Sequence, residues 1–173
     1  MYMSSCKSYL KEAYKAIYQN DFQKAILAFK KAINCDPTNA SYYHKLSITY
    51  SRNGDMKEAL AAAKKAYELS QNQNYRYHLQ ILQSKNLVLL AAEKIDKGIF
   101  LKDVEKMLIH AKTLDPLNID AYFLLGIYYG ETKLYSKSIK EFNLLLNLNP
   151  YHQKARQLKE YFIKLYQEGE KNE

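Results

Sequence analysis

Tryptophan is missing from this sequence, and cysteine, proline and glycine are scarce, with 2, 3 and 5 residues respectively among 173. Cys6 and Cys35 are too few for a disulfide framework, and neither stands in a CxxC or Cys/His metal spacing. They read as two reduced thiols on helices. With so little proline and glycine, long stretches go unpunctuated, which favours helices over many short strands joined by turns. Long apolar runs are also lacking. The longest, LVLLAA at 87–92, is far short of the roughly 20 residues of a membrane-spanning helix. The opening MYMSSCKSYLKEAYK has no apolar signal-peptide region, so a cytoplasmic protein is expected; the alternative is an exported one whose leader has been removed.

The signatures of chemistry are absent too. There is no GxxxxGK[ST], no GxGxxG, no HExxH and no GxSxG. His44, His78, His110 and His152 are dispersed, without a metal-type partner three or four residues on. Carboxylate pairs such as Asp103 and Glu105 read as solvated charge on a helix turn. No catalytic, cofactor-binding or metal-binding residues are expected, and the chain is not expected to be an enzyme.

What is present is a soluble, globular balance, 47% hydrophobic and 25% charged, with 17 tyrosines and a net charge of +8. The charge is lopsided. Residues 1–86 hold 13 Lys and Arg against 6 Asp and Glu, whereas residues 87–173 hold 13 against 12. Lys24, Lys30, Lys31, Lys57, Lys64 and Lys65 fall between the apolar positions of expected helices, as a solvated face would place them.

The chain also repeats itself. Residues 119–152 give Tyr122-x2-Leu125-Gly126-x2-Tyr129, then Ser138-x3-Phe142, then Pro150. Residues 40–73 give Tyr43-x2-Leu46-Ser47-x2-Tyr50, then Ala59-x3-Ala63, with Gln71 in place of proline. Residues 6–39 give Tyr9, Ala13 and Ala16, then Ala25-x3-Phe29, then Pro37. In all three, 16 positions separate the first aromatic from the small residue, and 8 separate the last core position from the proline or Gln71. Each proline ends a helix, because the residue before it is pushed out of the α region. Large residues would fill the gap between paired helices, and small ones (Ala13, Ser47, Gly126) would let the backbones approach.

This pattern resembles the tetratricopeptide repeat, a helix–turn–helix unit of about 34 residues. The resemblance runs over nearly the whole chain. It implies an all-α fold, a right-handed α-solenoid of stacked helix–turn–helix units, as one domain over 1–173. Units are expected at about 6–39, 40–73, 84–118 and 119–152. The spacing from Pro37 to Pro116 is 79 residues, eleven more than two repeats. One of the eleven falls in a turn at Lys97-Gly98 and ten fall before Leu87, so an insert at 72–83 is expected to extend the first helix of the third unit from near Tyr75 to about Asp96; the alternative is a separate short helix or an ordered loop at 72–83. After Pro150, residues 153–168 read as an amphipathic capping helix over the last repeat.

In solenoids of this family the first helix of each unit lines a concave groove where partner peptides lie. Helical phase then implies groove residues Leu10, Tyr14 and Tyr18; His44, Ile48 and Arg52; Lys85, Val88 and Ala92; and Phe123, Ile127 and Glu131. Members that clamp a chaperone's C-terminal carboxylate use Lys and Asn at matching places. Here Leu10, Tyr14 and Ile48 stand there, which disfavours such a clamp. The resemblance thus implies a protein–protein adaptor that binds a peptide or amphipathic helix in an apolar, aromatic groove. Alternatives are a chaperone for a secreted or membrane-associated substrate, and a basic surface for nucleic acid or another anionic partner. The partner is expected to be a protein or peptide rather than nucleic acid, and a second copy of the chain is another candidate occupant of the groove.

Overall fold

The computed structural model describes residues 2–170, with side chains over 6–168. Among these residues the chain is all-α, with nine helices and no strand. The helices are α1 (Tyr2–Tyr18), α2 (Phe22–Cys35), α3 (Ala40–Asn53), α4 (Met56–Ser70), α5 (Gln73–Asp96), α6 (Lys102–Leu114), α7 (Ile119–Glu131), α8 (Tyr135–Leu148) and α9 (Gln153–Glu170). They belong to two compact units, residues 1–82 and 83–173, and the division falls inside α5.

Two kinds of junction alternate along the chain. Within a helix pair, one residue takes the left-handed conformation and reverses the chain: Asn20 (φ 58°), Gly54 (φ 90°), Gly98 (φ 71°) and Lys133 (φ 61°). Between pairs, an Asp or Asn stands before proline in near-identical non-helical geometry. Asp36, Asp115 and Asn149 have φ of −141°, −139° and −137°. All three lie outside the α region, which a following proline disfavours for its predecessor. Each of these side chains accepts the N–H two residues on, from Thr38 (3.3 Å), Leu117 (3.1 Å) and Tyr151 (3.2 Å). The junction after α4 has no proline, and there Gln71 stops the helix by turning left-handed (φ 52°).

In the first unit, α1 packs on α2, α2 on α3 and α3 on α4. Its core gathers Ala13, Ile26, Ala28, Phe29, Leu46, Tyr50, Ala59, Ala62, Ala63 and, from α5, Leu82. The histidine at 78 reaches the same interior, where its Nε2 lies 2.7 Å from the buried Ser47 hydroxyl.

In the second unit, α5 contributes the buried stripe Ser84, Val88, Ala91 and Ile95. These recur at helical spacing and pack beside α6 and α7. The Ser84 hydroxyl donates to the Ala111 carbonyl and accepts from the Asn118 amide, both at 2.8 Å, so α5, α6 and the N-cap residue of α7 share one satisfied polar contact. α9 lays Ala155, Leu158, Phe162 and Leu165 over the cluster built on Phe142 and Leu145.

Two glycines in α7 are where the second unit is tightest. A Cβ on Gly126 would stand 2.7 Å from the Phe142 ring, and one on Gly130 would overlap the Phe162 ring. Alanine normally gains about 1 kcal/mol over glycine inside a helix. Overpacking of this kind costs roughly 1–3 kcal/mol. Gly130→Ala is therefore expected to lower the thermal midpoint by about 2–6 °C, followed by circular dichroism. A raised midpoint would show that α9 shifts aside without cost.

Candidate functional site

The first unit contains a cavity of about 250 Å³. Tyr14 and Ile17 of α1 form one wall, and Lys45, Ile48, Thr49 and Arg52 of α3 form the other. The α3 residues follow i, i+3, i+4, i+7 spacing and so share one face. Phe29 of α2, itself buried, closes the floor. Tyr14 stands edge-on to Phe29 at 6.1 Å between centroids and is 47% exposed. The Lys45 ammonium lies 5.4 Å from the Tyr14 ring centroid, a cation–π distance. Thr49 donates its hydroxyl to the Lys45 carbonyl at 2.8 Å, which leaves that hydroxyl no free proton for a guest.

Three of the expected groove residues, Tyr14, Ile48 and Arg52, thus meet around one cavity. Leu10 is half-buried against the core beside it. Tyr18, 90% exposed at the end of α1, is not in the lining. His44 is turned towards α5. Its ring stacks on Tyr75 at 4.5 Å and meets His78 edge-on at 4.8 Å. The reason lies in the ten additional residues before Leu87, which carry Tyr75 and His78 onto that side of α3. Burial, and then the nearby Lys45 charge, hold the His44 imidazole below its ordinary pKa of 6.5.

In the second unit, Phe123 and Ile127 share a face of α7 and are half-buried. The Phe123 ring lies between Phe142 (6.0 Å) and His152 (5.1 Å), with the Lys154 ammonium 5.6 Å from its centroid. Glu131 is exposed at the last residue of α7, and Lys85 is exposed on α5. Ala92 is half-buried. Val88 does not reach the surface expected of it. It is 7% exposed in the core, because the buried stripe of α5 passes through it and leaves Leu89 outward instead.

Sequence reasoning missed Ile17, Phe29, Lys45 and Thr49 as parts of the cavity. The signal for Lys45 and Thr49 was available, since they complete the stripe that already held Ile48 and Arg52. The closure of the floor by Phe29 had no such signal, because it depends on how α2 sits behind α1 and α3.

The arrangement is suited to holding an apolar group beside positive charge. Among the described residues, no three His, Cys, Asp or Glu side chains are placed to share a metal ion. Among the same residues, no helix is long and apolar enough to cross a membrane.

Comparison with known proteins identifies the repeat. Family models described as tetratricopeptide repeat match residues 28–61 and 119–152. The second match spans the pair α7 and α8, and the first is centred on α3. Among solved structures, a MamA protein superposes with a TM-score of 0.53 at 21% identity, covering 94% of this chain and 88% of that one. MamA from Desulfovibrio magneticus RS-1 gives 0.54 at 16% identity, covering 95% and 96%. A tetratricopeptide repeat protein from Parabacteroides merdae gives 0.55 at 18% identity, covering 97% of this chain and 64% of that one. At these identities the likeness is one of fold. No curated protein matches the sequence.

The depressed His44 pKa has a consequence for stability. The unfolded chain takes up the proton first, so the stabilising effect of neutral His44 is complete above about pH 6.5 and is lost as pH falls towards the folded-state value. The urea midpoint is expected to fall between about pH 7.5 and 5.5, and to fall less in His44→Gln. Equal slopes for the two proteins would show that His44 protonates freely in the folded chain.

Proposed function

We propose that this chain, a tetratricopeptide repeat protein, is a non-enzymatic interaction adaptor that holds a peptide or amphipathic helix against the apolar, aromatic faces of the first helices of its pairs. The observation that carries this reading is the cavity of the first unit, where Tyr14, Ile48 and Arg52 converge on an open apolar space. Aromatic rings at such a place give a partner large contact area at low entropy cost. In the second unit, Phe123, held by Phe142 and His152, offers a ring that is already fixed in place. A ring that does not need to be ordered on binding contributes more of its contact energy to affinity.

A second reading is supported by charge. The first unit carries 12 Lys and Arg against 6 Asp and Glu, which would attract nucleic acid or another polyanion. Such binding weakens steeply with salt, because phosphate contacts release counterions.

Both readings meet in one experiment, affinity capture on the purified chain at low and high salt, followed by titration calorimetry of what is retained. A protein partner held at both salts is expected, with Tyr14→Ala and Phe123→Ala each weakening it about five- to thirtyfold. Partners that bind both variants as tightly as wild type would remove the adaptor reading. Retention of nucleic acid at low salt alone would favour the second.

A further inference from the structure

We infer that the cavity of the first unit receives one large apolar side chain of a partner peptide, and that an acidic residue of the same peptide pairs with Arg52. The inference rests on the adaptor reading and specifies the chemistry of the partner. Size is the first argument. At about 250 Å³ the cavity lies below the roughly 300–1,000 Å³ of small-molecule sites, so it suits a Leu, Met or Phe side chain better than a cofactor. Its walls agree, since Tyr14, Ile17, Phe29 and Ile48 supply most of the lining.

The second argument is what the polar residues of the lining already do. Thr49 donates its hydroxyl to its own helix, and the Lys45 ammonium covers the Tyr14 ring. Arg52 is different. It is exposed, one turn beyond Ile48, and among the described residues no carboxylate lies within 4.0 Å of it. The carboxylate nearest to it in sequence, Asp55, accepts instead from the Asn53 amide at 2.7 Å. A guanidinium presents a planar fork of donors that matches a carboxylate bidentately, and such charge-assisted pairs are the stronger hydrogen bonds. The surplus of six positive charges in this unit favours an acidic peptide over a basic one before contact is made.

The test is selection of random peptides of about twelve residues, displayed on phage, against the full-length chain and three variants. These are Arg52→Glu, Tyr14→Ala, and Lys57→Glu, an equal charge change at an exposed α4 position outside the cavity lining. Folding of each variant is confirmed by circular dichroism. Enriched peptides are expected to place Leu, Met or Phe within a turn of Asp or Glu. A synthetic copy is expected to bind Arg52→Glu about tenfold or more weakly, and Lys57→Glu within about twofold of wild type. Equal losses in both charge variants would overturn the inference, since the attraction would then be diffuse. Apolar peptides without acidic residues, still dependent on Tyr14, would also overturn it and leave the adaptor reading standing. Absence of any Tyr14-dependent peptide would overturn both.

Discussion

The packing depends on a ring that needs a hole. Phe29 in α2 and Phe142 in α8 are fully buried, and each lies in the same core as a residue with almost no side chain on the neighbouring first helix. For Phe142 that residue is Gly126, where even a methyl group would collide. For Phe29 it is Ala13, buried in the same cluster. The pair α3 and α4 solves the problem from the other side. Ala63 replaces the ring, so Ser47 can replace the glycine and still be buried, with its hydroxyl bonded to the His44 carbonyl and close to His78. Knob and hole change size together, which keeps interiors dense with different residues.

This coupling is why the fold was legible in the sequence. A large residue at one offset and a small one at another is a spacing, and spacing survives in a string of letters. The prolines added the ends of the pairs, since each dictates the backbone of the Asp or Asn before it. The candidate site was legible only in part. Tyr14, Ile48 and Arg52 follow from helical phase along ordinary helices. His44 and Val88 do not, because both depend on α5, whose surplus residues cover His44 and whose buried stripe runs through Ser84, Val88, Ala91 and Ile95. An insertion shifts which neighbours a helix meets, and no periodicity within the helix records that.

The cavity also depends on the small side of this coupling. Tyr14 follows Ala13 in α1, so the residue that admits the Phe29 ring to the core stands beside the residue that Phe29 supports from below. The packing of the pair and the shape of the binding face are therefore set by one ring. That economy limits how the face can diversify, because residues touching Phe29 serve stability first. Arg52, at the margin and exposed, is under no such constraint.

The lysines over aromatic faces say something about the composition itself. Lys30, Lys31, Lys45, Lys112, Lys137 and Lys154 each hold an ammonium within 6 Å of a ring centroid. These contacts are denser than the usual one per roughly 70–80 residues. Covering five tyrosines and Phe123 in this way brings positive charge with it. Part of the chain's basicity then belongs to the packing of its rings and does not by itself imply an anionic partner. Six of the 26 Lys and Arg are held over rings in this way, so part of the net charge comes with the aromatic surface that it covers.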